Sequence, residues 1–173
     1  MNHDAYSDAY IRDILANNRT IAMVGASPNT SRPSYFAMKY LKAKGFHVIP
    51  VNPGQAGKEI LGEKVYASLA DIKEPIDIVD IFRSSDAALP IAKDAIRIGA
   101  KVVWMQLGVR NDEAAKLAEE AGLKVVMNRC PKIEYGRLSG ELNWAGVNSR
   151  MLSSKRPLLG PKGVQHRVLA GKA

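Results

Sequence analysis

The residues best suited to chemistry lie in one run, Val24-Gly25-Ala26-Ser27-Pro28-Asn29-Thr30-Ser31-Arg32-Pro33-Ser34. It joins a glycine, small polar side chains, a guanidinium and two prolines, a mixture suited to holding phosphate. Before it, Thr20–Val24 is apolar and rich in β-branched residues, which reads as a buried strand ending on Gly25. After it, Tyr35, Met38 and Leu41, with weaker support from Phe36 and Ala37, recur at helical spacing over Ser34–Lys44. Pro33 stands where the first helical residue belongs, since its missing N–H costs nothing there. A strand that turns sharply into a helix aims the first free N–H groups and the positive end of the helix dipole at the space above the strand. Gly25 to Ser34 form the expected phosphate cradle, with Arg32 as its cationic partner because guanidinium pairs well with phosphate oxygens.

The elements that must position this run follow from periodicity. A leading helix over Tyr6–Asn18 carries Tyr10, Ile11, Ile14 and Leu15 as a stripe. The first strand and helix come next, closed by Gly45 as a C-terminal stop. Phe46–Val51 is a second strand, with a turn at Asn52-Pro53-Gly54. Gln55–Lys73 is loop-like, with a candidate short strand at Lys64–Tyr66 and a helical turn at Ser68–Ile72, capped by Ser68. Ile76–Phe82 is a third strand, and Ser84–Gly99 an amphipathic helix with Ala87, Ala88, Ile91, Ala92, Ala95 and Ile98 on its apolar face. Lys101–Gln106, Asn111–Ala121 and Leu123–Met127 complete the pattern as strand, helix and strand. Strands alternating with helices imply a parallel sheet built from right-handed crossovers. The expected architecture is α/β, a three-layer doubly wound parallel sheet of Rossmann-like kind. With Ile76–Phe82 beside the opening strand and opposite Phe46–Val51, the ends of the first and third strands become a topological switch point, where such sheets bind ligands.

Every strand ends in residues suited to contact rather than core. These are Gly25-Ala26-Ser27, Asn52-Pro53, Phe82-Arg83-Ser84, Gln106-Leu107-Gly108 and Asn128-Arg129-Cys130-Pro131. Each alone is plain loop chemistry; five on one rim point to a ligand site. The dinucleotide fingerprint needs two further glycines after Gly25 and an acid at the end of the second strand. This chain has Pro28 and Arg32 after Gly25, and Asn52-Pro53 at the strand end, so nicotinamide and flavin dinucleotides are disfavoured. A Walker loop is absent, as no Gly-Lys-Ser or Gly-Lys-Thr occurs.

Composition sets the frame. With 173 residues, 46% hydrophobic and 24% charged, the chain suits one well-cored domain. The net charge of +8 is uneven. From residue 137 onward seven basic residues face one acid, while the first 136 residues carry 18 basic groups against 16 acids. The expected division is a domain over 1–136, including the leading helix over 6–18, and a basic extension over 137–173 that belongs to the same domain. Nucleic-acid binding needs basic residues clustered on a folded face with interleaved aromatics, and a scattered tail does not supply that. No apolar run approaches a membrane span. The acidic start, MNHDAYSDAY, does not read as a secretory signal, and the single Cys130 fits a reducing cytoplasm.

The motifs VGAS with SRPS (Val24–Ser27, Ser31–Ser34), VIPVNP (Val48–Pro53), EILGEKVYASLADI (Glu59–Ile72), VDIFR (Val79–Arg83), WMQLGV (Trp104–Val109) and MNRCPKIE (Met127–Glu134) resemble a known family. It is that of the small coenzyme A-binding proteins, related to the N-terminal domain of the succinyl-CoA synthetase α subunit, and the likeness runs from about Asn18 to Arg137. The synthetase carries glycines where this chain has Pro28 and Ser31. The resemblance implies coenzyme A held at the strand ends. Ser27 to Thr30 and the helix start with Arg32 would hold the phosphates, and Asn52, Pro53 and Gln55 would line the nucleotide's flank. Phe82, Arg83 and Ser84 would meet the adenine or the start of the pantetheine arm. Gln106, Gly108 and Cys130 complete the candidate set from the other strand ends.

No catalytic constellation is evident. The three histidines, His3, His47 and His166, belong to no metal or triad pattern. No paired carboxylates or metal-spaced cluster occur. The reading is a non-catalytic binder of coenzyme A or an acyl derivative, serving a protein partner or acting as a homo-oligomer. The alternative is a nucleotide-dependent redox or acyl-transfer enzyme using the same site, and a third reading has the tail bind nucleic acid. Cys130 is either a half-buried thiol after the last strand or a partner for a mixed disulfide with the coenzyme A thiol. Arg83 either pairs with Asp86 or meets the ligand. Trp104 and Met105 belong to the core. Lys155, Arg156, Lys162 and Arg167 form a solvated strip, and Trp144 admits either reading.

Overall fold

A computed structural model describes residues 2–140. In chain order the elements are α1 (Asp8–Asn17), β1 (Thr20–Val24), α2 (Pro33–Ala43), β2 (His47–Val51), a hairpin of β3 (Glu59–Ile60) and β4 (Glu63–Lys64), β5 (Ile78–Ile81), α3 (Ser85–Arg97), β6 (Val102–Met105), α4 (Asp112–Glu120), β7 (Lys124–Val126) and α5 (Pro131–Ser139). Single 3-10 turns lie at Pro53–Gln55 and Leu69–Asp71. Five parallel strands pair in the order β2-β1-β5-β6-β7. The chain thus reverses its direction of travel across the sheet between β1 and β5, the switch expected from the sequence.

The period of two along each strand sorts the core into two layers. Ile21, Met23, Val48, Ile78, Val102, Trp104 and Val126 face α1, α2 and α5. Ala22, Ile49, Val79, Ile81, Val103, Met105 and Val125 face α3 and α4. Those two helices meet the sheet through Ala88, Ala92, Ala95, Ala114, Ala115 and Ala118, whose small side chains let the backbones come close. Ala87, Ile91 and Ile98, expected on the same face, are only half-buried at its margin. Trp104 and Met105 are fully buried, as core residues should be.

Both sheet edges are covered. Along β7 the Tyr10 hydroxyl donates to the Val125 carbonyl and accepts from its amide, each at 3.1 Å, and the Tyr6 hydroxyl accepts from the Met127 amide at 2.7 Å. Two phenols so replace a missing neighbour strand. Along β2, Tyr66 bridges to Val51 in parallel, with its amide donating to the Pro50 carbonyl at 3.0 Å. The strand expected over Lys64–Tyr66 is therefore β4 followed by this bridge.

Two features are not marked in the sequence: β3 with the turn that joins it to β4, and α5. The β3–β4 hairpin turns on Leu61 and Gly62, both at positive φ, 51° and 79°. Such a two-residue loop normally announces itself by Asn-Gly, and a leucine in first place hides it. Lys42 holds it in place, donating to the Leu61 carbonyl at 2.7 Å and to Glu63 at 2.6 Å. The helix α5 has a weak apolar stripe and is held by tertiary contacts instead. Tyr135 is fully buried, edge-on to Tyr40 and Phe46 with ring centroids 6.3 and 5.6 Å apart. α5 runs across residue 137, where the basic extension was expected to begin. The rest of that extension, with Trp144, Lys155, Arg156, Lys162, His166 and Arg167, lies outside the described residues.

Candidate functional site

At the carboxyl end of β1 the backbone turns through Gly25, at φ +91°. A Cβ there would lie 2.4 Å from the Phe82 carbonyl oxygen and 2.9 Å from Arg83 Cδ. Only glycine permits both the left-handed turn and this approach of β1 to β5. The loop beyond is organised by its own bonds. The Asn29 side chain accepts from the Ser31 amide at 2.9 Å and its hydroxyl at 2.7 Å, the Asn29 amide donates to Ser27 Oγ at 3.2 Å, and the Arg32 amide donates to the Asn29 carbonyl at 3.0 Å. The amides of Ser27, Thr30 and Ser34 find no acceptor among the described residues. Pro33 is the first residue of α2 and Arg32 its N-cap, with a side chain that makes no capping bond.

Pro28, Asn29, Thr30, Ser31, Arg32 and Pro33 are exposed, and Ser34 is buried beneath them. Neither the Arg32 nor the Arg83 side chain has a hydrogen-bond or ion-pair partner among the described residues, so the alternative pairing of Arg83 with Asp86 is not formed. Both cations stand open at the switch between β1 and β5. Ser84, exposed, stands at the N-cap position of α3 at the same place without a side-chain capping bond, and Phe82 is half-buried against the core.

Other expected site residues serve the frame of the rim. Asn52 donates through Nδ2 to the Ala26 carbonyl at 2.8 Å and accepts from the Gly54 amide at 2.9 Å. Its side chain latches the end of β2 to the start of the phosphate loop, with Ala26 itself buried. Pro53 is exposed beside it, while Gln55 accepts from Lys58 at 3.2 Å. Gly108 makes the turn after β6, at φ +78°, and donates to Asn128 Oδ1 at 2.8 Å. Asn128, one of the strand-end residues named above, sits at φ +53° and ties the ends of β6 and β7 together. An asparagine at a strand end, tolerant of that conformation, is the signal that marks it.

Gln106 lies beneath the rim rather than on it. It is buried and donates through Nε2 to both oxygens of Asp80, at 2.9 and 3.1 Å. Asp80 is wholly enclosed in β5, and this burial pushes its carboxyl up to about 8, the Gln106 bond notwithstanding. A single aspartate inside an apolar strand gave no sequence signal of its own. Cys130, the N-cap of α5, is half-buried, and burial pushes its thiol up as well, with the Asp80 charge adding to the rise. A protonated thiol disfavours the disulfide exchange considered above. His3 and His47 lie elsewhere, His3 bonded to Tyr6 at 2.9 Å and His47 exposed 3.8 Å from Glu74. Among the described residues no group of three or more histidine, cysteine, aspartate or glutamate side chains could hold a metal ion. None of their helices is long and apolar enough to cross a membrane.

A doubly wound parallel sheet with a glycine turn and a helix start at its switch point defines the Rossmann-like class of α/β domains. Within that class the chain belongs to the CoA binding domain family, whose model matches residues 19–136. It is 38% identical over 129 residues to the uncharacterized protein YneT of Bacillus subtilis, covering 75% of this chain and 94% of that one. A hypothetical protein from Pyrococcus horikoshii superposes with a TM-score of 0.74 at 45% identity, covering 78% of this chain and 94% of that one. The apo form of a dinucleotide-forming acetyl-coenzyme A synthetase from Ca. Korarchaeum cryptofilum superposes with a TM-score of 0.58 at 26% identity, covering 67% of this chain and 27% of that one. The family expected from the motifs is the one found.

Proposed function

We propose that this chain binds coenzyme A or an acyl derivative without transforming it, the phosphates resting on residues 27–34 and the arm crossing the rim. One observation carries the reading. Arg32 and Arg83 are unpartnered among the described residues and flank a helix start whose nearby amides are free, at a switch point held together by Gly25. Two cations and several free amides match a polyanion with clustered phosphates. Asn52 contributes by positioning, as does Ala26, and Gln55 and Pro53 border the cradle. The absence of an acid at the end of β2 favours coenzyme A over a dinucleotide, whose ribose hydroxyls need one. Membership of the family, and the chain's likeness to an acetyl-coenzyme A synthetase, agree with this ligand.

A binding role, rather than acyl transfer or redox chemistry, is supported by the groups nearest the rim. Asp80 is enclosed and cannot touch a ligand, and the Cys130 thiol is held protonated. Calorimetric titration with coenzyme A, pantetheine, NAD and ATP tests the reading. Coenzyme A is expected to bind tightest. Arg32→Ala should lower its affinity about tenfold or more, the worth of a charge-assisted bond, and leave pantetheine unaffected. Equal losses for both ligands would remove the phosphate role.

A further inference from the structure

We propose that the rim takes its ligand as a thioester with an uncharged aliphatic acyl chain, which rests on Leu107 and Ile133. This builds on the coenzyme A reading above. Among the described residues three large apolar side chains are exposed, Phe36 at 51%, Leu107 at 56% and Ile133 at 42%. All three lie at the end of the domain where the strands finish. Phe36 is in the first turn of α2, Leu107 lies two residues beyond the end of β6, and Ile133 is in the first turn of α5. Single exposed apolar residues are ordinary when they are scattered over a surface. These are confined to one end, the end that holds the phosphate cradle.

The sheet order sets how far they are from that cradle. β6 lies two places from β1 and β7 three, so at about 4.8 Å per strand the residues after them are roughly 10–14 Å along the rim from the end of β1. A ligand anchored by its phosphates at the start of α2 and crossing past Phe82 and Arg83 brings its sulfur end towards Leu107 and Ile133. The neighbouring charges select the kind of acyl group. Arg129 is committed to Glu134, at 3.7 Å, and lies over the Tyr6 ring at 5.8 Å. Arg110 is paired with Asp4 and Asp112. Lys132 lies over the Tyr40 ring at 5.9 Å. A carboxylate-bearing acyl group finds Arg110 and Arg129 already paired with carboxylates, whereas an aliphatic chain gains by covering apolar surface. Cys130 stands beside this path as a neutral thiol, a poor nucleophile that leaves a neighbouring thioester intact.

Calorimetry on the full chain with coenzyme A, its S-hexyl thioether and succinyl-coenzyme A tests this, with sedimentation run in parallel. Each buried methylene contributes about fourfold in affinity, so the S-hexyl thioether is expected to bind at least about tenfold tighter than coenzyme A. The double variant Leu107→Asn, Ile133→Asn should bring the two ligands within about twofold of one another. Equal wild-type affinities for coenzyme A and the thioether overturn the acyl proposal and leave the coenzyme A reading standing. Succinyl-coenzyme A binding tightest overturns it too. So does a double variant that keeps the preference but loses an oligomer, which would make these residues a subunit contact. Failure of all three ligands to bind overturns both readings.

Discussion

At the amino ends of the strands, the Asp77 carboxylate accepts from the amides of Arg19 and Thr20 at 2.8 and 3.0 Å and from Lys101 at 2.7 Å. At the carboxyl ends of the same strands, Arg32 and Arg83 have no partner among the described residues, and three apolar side chains are open to water. One end is closed by its own hydrogen bonds and the other is left unsatisfied. The two carboxylates of the β5 segment show the contrast most directly. At Asp77 partial burial raises the carboxyl, but Lys101 and the two amides together pull it below the usual carboxylate value. At Asp80, burial dominates and pushes the carboxyl up to about 8. The distribution of paired charge divides the strand into an end that holds the fold and an end left open to solvent.

The largest expected effect comes from the residue that joins rim to sheet. Gly25→Ala places a methyl 2.4 Å from the Phe82 carbonyl in a left-handed conformation. It should cost at least about 3 kcal/mol in stability, from strain and overpacking together, and lower the urea midpoint accordingly. A loss below about 1 kcal/mol would mean that β1 and β5 can part at the rim without cost. Next is Asp77→Ala, which leaves two amides without their acceptor and should cost about 2 kcal/mol near neutrality. With its folded value lowered, Asp77 contributes stability above the ordinary carboxylate value, and that contribution is lost as pH falls through the folded one. The penalty should therefore shrink in acid.

Asp80 has the opposite sign. Its folded value is raised from 3.8 to about 8, so the folded state holds a proton that the unfolded chain has released. Its contribution is fully present below the unfolded value and declines as pH rises towards 8, by up to about 1.4 kcal/mol per unit. Asp80→Asn, which still accepts from Gln106, should gain on wild type as pH rises from 5 to 8 in denaturant melts. A constant difference over that range would show that Asp80 is ionised in the fold and that the two carboxylates do not differ.

Much of this division can be read in the chain before any coordinates. The apolar run of Thr20–Val24, the helical stripe after Pro33 and the alternation of strands with helices fix the sheet order and put Gly25, Arg32 and Arg83 at its switch. Those features are local, so periodicity and turn chemistry report them. The hairpin at Leu61-Gly62 depends on a leucine held at positive φ by Lys42, and α5 on the burial of Tyr135 between two distant rings. Neither cause is written in neighbouring residues. By position Gln106 reads as a rim residue because it follows a strand; its bond to buried Asp80 on the neighbouring strand draws it inward. Sequence position gives the end of a strand, and only packing decides which of its side chains point out of the fold.

The smallest expected effect on stability is at Arg83, and it separates the two ends most cleanly. Its side chain makes no ion pair or hydrogen bond among the described residues, so Arg83→Ala removes no native interaction of that kind. The melting midpoint should correspond to a change within about 0.5 kcal/mol, the range of ordinary surface substitutions. Methylenes of its stem lie close over Gly25, and their loss belongs within that range. If the guanidinium is reserved for a polyanion, the same variant should bind coenzyme A about tenfold more weakly. Added salt should narrow that gap, because an exposed cation is screened. Loss of stability with unchanged affinity would put Arg83 with Asp77 among the groups that hold the fold, and would leave the rim with Arg32 as its one reserved charge.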